Sequence, residues 1–124
     1  MVNVEAVVVT ALRAANLRAY VDVPAVVVYP VGRVTRIGGG VSNPQWIDRA
    51  LLQVEFWGSS GANGADEAFD AARDAVAALG ALVGAVAGGY VTFVRIESIA
   101  NAFDDTFTPS RARRIITAAV TTHP

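Results

Sequence analysis

From Arg49 to Trp57 the apolar Leu52, Val54 and Phe56 alternate with Gln53 and Glu55, the period of a strand with one buried face. Beyond a Ser/Gly/Asn loop the period changes. From Ala65 to Val83, Phe69, Ala72, Val76, Leu79 and Val83 recur at steps of three and four, with Asp66, Glu67, Asp70, Arg73 and Asp74 opposite. That spacing predicts an amphipathic helix, with Asn63 placed to cap it and Gly80, Gly84 and Gly88-Gly89 to stop it. A strand and a helix joined by a short loop can bury each other's apolar faces, so this pair is the expected nucleus of the core.

Upstream, Asn3 can cap a first helix from about Val4 to Ala15, with Glu5 in its first turn. Its stripe is Val4, Val7, Val8, Ala11, Leu12 and Ala15. The valines favour a competing strand over residues 6–10, but the helical spacing holds for three turns and decides for the helix. A short strand follows at Tyr20 to Val23. Another runs from about Val31 to Ile37, with Pro30 at an edge, bulge or turn, and Gly38-Gly39-Gly40 breaks it. Ser42-Asn43-Pro44-Gln45 suits the start of one helical turn through Trp46 and Ile47.

Val91 to Glu97 reads as a strand, residues 98–110 as a polar loop, and Arg111 to Thr122 as a last strand with Ile116, Ala118 and Val120 on one side. The elements alternate as α, β, β, β, α, β, β. The expected fold is α+β, one domain over residues 1–124, with a mostly antiparallel sheet of four to five strands and two helices on one face.

Composition adds a partner. A 124-residue chain buries roughly two thirds of its unfolded surface. A hydrophobic fraction of 53% and a mean hydropathy of +0.42 exceed what so small a core hides, which predicts association, most simply with other copies. The net charge of -1 lacks the basic excess that attracts nucleic acid nonspecifically, so no specific nucleic acid is expected as a partner. Without Cys there is no disulfide and no thiolate site. The start of the chain has no basic leader pattern, and the apolar run 75–89 is shorter than the roughly 20 residues a bilayer needs; neither secretion nor membrane insertion is expected.

Chemistry-bearing residues are sparse. The three glycines lack the spacing and the Lys of a phosphate loop and suit a flexible connector. Asp104 and Asp105, followed by Arg111, Arg113 and Arg114, are the densest charges. Neighbouring loop carboxylates point apart and no further oxygen ligand lies close in sequence, so a solvated loop or intersubunit ion pairs fit better than a metal site or an acid/base pair. His123, next to the end of the chain, suits a frayed tail. Trp46, Trp57, Phe103 and Phe107 fit either interface anchors or a cover for the core. No catalytic residue, cofactor or metal site is assigned.

The succession Val34-Thr35-Arg36-Ile37-Gly38-Gly39, then Ile47-Asp48-Arg49-Ala50-Leu51-Leu52-Gln53-Val54-Glu55-Phe56-Trp57-Gly58, then an Ala-rich helix with Ala68 and Leu79, resembles the tail terminator proteins of long-tailed phages, especially those of actinobacteria. An Asp at 104 or 105 and the closing strand from Arg114 to His123 extend the resemblance over most of the chain. The resemblance implies a virion structural protein and no enzyme: a homo-oligomer, expected to be a hexameric ring, that caps the tail tube, ends its polymerisation and joins the head connector. Its partners would be the major tail tube protein and the head-tail connector protein, with DNA passing through the ring. Its location would be the neck of the virion tail, and the host cytoplasm during assembly. Sheet edges, the loops 38–43 and 98–110, and Asp104, Asp105, Arg111, Arg113, Arg114, Trp46 and Trp57 are the interface candidates. Alternatives are another neck or tail component, such as a connector or tube subunit, and more remotely a small metal-dependent hydrolase using Asp104 and Asp105.

Overall fold

The computed structural model describes residues 2–42, 47–106 and 110–124. Helix α1 (Val4–Ala14) opens with the Asn3 side chain accepting the Ala6 N–H at 3.2 Å. It buries Val4, Val8, Val9 and Leu12, while Val7 and Ala11 are half-buried and Ala15 lies outside the helix. Each valine costs a few tenths of a kcal/mol in helix propensity, and each buried apolar side chain returns roughly 1.5–3 kcal/mol. Burial therefore decides for helix.

The strands are β1 (Ala19–Tyr20), β2 (Val31–Ser42), β3 (Ile47–Trp57), β4 (Gly84–Val86), β5 (Gly89–Asp104) and β6 (Arg111–His123), with helix α2 (Gly64–Gly80) between β3 and β4. They form one six-stranded sheet in the order β1-β2-β3-β6-β5-β4. Among the described residues only β1 and β2 run parallel; every other neighbouring pair is antiparallel. The architecture is thus α+β with two helices, as the patterns predict, but with six strands where four to five are expected and with one parallel pair. The strand expected over residues 20–23 reduces to β1, and the short hairpin of β4 with β5 has no counterpart in the alternation.

Leu52, Val54 and Phe56 of β3, Ile116, Ala118 and Val120 of β6 and Val34 of β2 face the helices and are fully buried. From α2 this core receives Ala71, Ala72, Ala75 and Leu79, with Ala68 buried on the same side. Phe69 and Val83, expected on the buried stripe, are instead 49% and 55% exposed. Small side chains let α2 lie close to the sheet, which turns the bulky Phe69 outward, where the Arg114 guanidinium stacks over its ring, 5.2 Å from the centroid. Asn63 occupies the cap position of α2 but its side chain makes no capping bond; near that end of the helix the Glu67 carboxylate accepts the Ser59 N–H at 2.9 Å and the Ser59 hydroxyl at 3.1 Å.

Three further expectations are corrected. The glycines 38–40 do not end β2, which continues to Ser42 past a bulge at Ile37. Residues 98–104 are strand and not loop, because β5 stays paired with β6 as far as Asp104 opposite Arg111. His123 is no frayed tail: it ends β6 opposite Tyr90, and the two rings stack with centroids 5.2 Å apart. The helical turn expected around Asn43, Pro44, Gln45 and Trp46 lies outside the described residues. On either side of it Ser42 ends β2 and Ile47 begins β3.

Candidate functional site

Side chains alternate across a strand, so the odd-numbered residues of β3 point away from the helices. Glu55 and Trp57 nevertheless stand only 2% and 7% exposed. Their neighbours supply the cover: Val31 and Arg33 sit opposite them on β2, Arg113 and Ile115 on β6. Glu55 lies between two guanidiniums. Arg33 Nη2 donates to its Oε1 at 2.9 Å and Arg113 Nη1 to its Oε2 at 3.3 Å. Arg33 also stands over the Trp57 ring, 5.3 Å from its centroid.

The chain of contacts continues outward to Asp104. Trp57 Nε1 donates to Asp104 Oδ2 at 2.8 Å, and Arg113 Nη1 lies 3.8 Å from that same oxygen. Asp104 Oδ1 accepts the Thr106 backbone N–H at 3.0 Å and its hydroxyl at 2.6 Å. One network therefore ties β2, β3, β6 and the end of β5 on the face opposite the helices. Beside it Arg111 stacks over Tyr29, 4.0 Å from the ring centroid, and donates to the Gly58 carbonyl at 3.4 Å. A cleft of about 400 Å³ opens between these groups, lined among others by Val23, Tyr29, Arg33, Trp57, Asp104 and Arg113.

Asp104 is engaged by several donors, the arrangement of a carboxyl kept ionised. The Thr106 hydroxyl is the main influence holding the Asp104 carboxyl below its ordinary range; burial opposes it, and Trp57, the Thr106 N–H and Arg113 add to it. Proton transfer near neutral pH calls for a carboxyl shifted the other way. What the geometry supports is anchorage: Asp104 pins the segment after β5 to the Trp57 edge.

A pH dependence follows. The folded carboxyl titrates below the ordinary value of 3.8, so the unfolded chain takes up its proton first. The stability contributed by Asp104 is full above the ordinary carboxyl range and is lost as pH falls through it. Asp104→Asn is expected to cost roughly 1.5–3 kcal/mol at neutral pH, the worth of hydrogen bonds to a charged group. In urea titrations the gap between variant and parent should close as pH drops below about 4. A gap that stays constant with pH would count against an ionised Asp104.

Of the residues singled out from sequence, Trp57, Asp104 and Arg113 meet in one network, with Arg111 at its margin. Asp105 is exposed, and Arg114 lies on the other face of the sheet over Phe69. Trp46 lies outside the described residues. Asp104 is thus satisfied within the subunit, in contrast to the solvated-loop or intersubunit reading of the acidic pair. Glu55, Arg33 and Thr106 are the members that sequence reasoning missed. Glu55 shows in the alternation only as a polar position, the pattern of a residue facing water. A separate ion pair lies on the helix side of the sheet, where Arg36 binds Asp48 through both carboxylate oxygens at 2.6 and 2.7 Å. Set against known protein families and curated proteins, the sequence matches no family model and no protein.

Proposed function

We propose that this chain is a structural protein of a long-tailed phage virion: a tail terminator that closes into a ring on the end of the tail tube, stops its growth and meets the head connector. The observation that carries this reading is the apolar surface. Among the described residues eleven large apolar side chains are 42% exposed or more, up to 91% at Val26. A domain of this size stays soluble by covering such surface with partners, and a closed ring of identical subunits covers it on two sides of every copy. The free sides of β2 and β5, at opposite ends of the sheet, give each subunit two different lateral surfaces, the arrangement a head-to-tail ring needs. The ordered succession of motifs from Val34 to His123 supports the same assignment. Asp105 and Arg114 remain the polar contacts proposed between subunits, with no cofactor required.

A tail tube subunit is the nearest rival, since tube and ring draw on the same lateral surfaces. Negative-stain images of the purified protein, alone and mixed with tube protein, separate the two. Closed six-fold rings that cap tube ends are expected. Long cylinders built from this chain alone would make it a tube subunit. A lone particle at high concentration that ignores tube protein would end both readings. Calorimetry with Mg²⁺ or Mn²⁺ addresses the remote hydrolase alternative.

A further inference from the structure

β5 is an edge strand for most of its length. β4 pairs only with residues 89–91, and among the described residues no strand lies beyond 92–104. An open edge of backbone N–H and C=O groups is a template for another strand unless something blunts it. The first half of this edge is blunted: the register shifts at Thr92 and Glu97, and Arg95 pairs with Glu97 at 2.7 Å. The second half has none of these devices. From Ser98 to Phe103 there is no charge, no proline and no register shift, and Ile99 and Phe103 are 52% and 63% exposed. The opposite edge of the sheet offers no comparable run, because β2 is bulged at Ile37 and carries Gly39 at φ 92°.

The segment also has an order that suits one partner above others. Ile99-Ala100-Asn101-Ala102-Phe103 reads large apolar, Ala, Asn, Ala, large apolar in either direction. An antiparallel copy centred on Asn101 therefore meets like with like. We infer that residues 99–103 pair with the same residues of a second copy of this chain across a twofold axis at Asn101.

In that register Ile99 stands opposite Phe103 of the second copy, twice by symmetry. Both lie on the helix side, since Ile99 is the partner of the buried Ile116 and Phe103 of the buried Ala112. Phe69, 49% exposed, and Ile99 line one shallow apolar hollow beside this strand, which the pairing would cover. On the other side Ala100 meets Ala102, small enough for the two backbones to approach. At the axis the two Asn101 amides each offer a donor and an acceptor to the other. A ring of like-oriented subunits repeats one head-to-tail contact, whereas this contact is twofold; it does not rest on the tail-terminator reading and competes with the ring for the free side of β5.

The chain has no cysteine, which makes single-cysteine cross-linking clean. Under mild oxidation Asn101→Cys should give a covalent dimer at least about tenfold in excess of Ala77→Cys, an exposed control on α2; that ratio corresponds to about 1.4 kcal/mol of preference for the paired geometry. The double variant Ile99→Lys, Phe103→Lys in the Asn101→Cys background should abolish the excess. Both positions are exposed, so the fold should be kept, which circular dichroism of the variant checks. Cross-linking of Asn101→Cys no greater than that of the control overturns the pairing. Rings without this cross-link leave the ring reading standing and remove this one; linked dimers without rings do the reverse.

Discussion

Arg113→Ala is expected to lower the free energy of unfolding by about 3 kcal/mol, the lower end of the 3–5 kcal/mol typical when a buried carboxylate loses its cation. The side chain reaches Glu55, 3.3 Å away, and Asp104, 3.8 Å away, and their side chains are 3% and 11% exposed. Removing it leaves both carboxylates in place with fewer partners. Glu55 keeps Arg33, and Asp104 keeps Trp57 and Thr106, which is why the lower end of the range applies. Urea denaturation of the variant measures the cost. The apolar double variant Glu55→Met, Arg113→Leu should recover most of it, because no carboxylate is then stranded at position 55 and Arg33, 44% exposed, can turn to water. A loss below about 1 kcal/mol in the single variant would place the pair among ordinary surface ion pairs and remove the case for a buried network.

The parts of this fold that could be read from sequence are those whose burial is one-sided. β3 and β6 each put one face into the core, so Leu52, Val54, Phe56, Ile116, Ala118 and Val120 stand out by alternation, and both strands lie where it places them. The far half of β5 borders only β6 and is exposed on both faces, so Ser98, Ile99, Ala100 and Asn101 carry no period and pass for loop. In α2 the true stripe of Ala68, Ala71, Ala72, Ala75 and Leu79 has proper helical spacing. Phe69, larger and one position away, drew the stripe toward itself. The network at Glu55 was hidden for a different reason. Its cations come from 22 and 58 residues away in sequence, and which polar residues of facing strands meet depends on register, which no local pattern encodes.

Gly39→Ala is expected to cost about 2–4 kcal/mol, from backbone strain and steric overlap together. Gly39 holds φ at 92°, where a side chain is strained, and a Cβ there would lie 1.8 Å from the Arg49 carbonyl oxygen across the β2–β3 pair. One of the two strands must move. The flexible-connector reading of residues 38–40 makes the opposite forecast, since a loop glycine replaced by alanine is neutral or gains about 0.4–1 kcal/mol through the unfolded chain. Gly40 is the internal control: a Cβ there meets nothing within 4 Å, so Gly40→Ala should behave as a loop substitution would. Urea midpoints for the two variants decide between the readings, and equal midpoints would dissolve the pairing of Gly39 with Ala50. The consequence reaches past stability. The bulge at Ile37 and the positive φ of Gly39 together aim the free edge of β2 from residue 38 to residue 42, one of the two lateral surfaces on which ring closure is proposed. If Gly39→Ala folds at all, the realigned edge should weaken assembly while leaving the cross-link at Asn101, on the opposite edge of the sheet, unchanged.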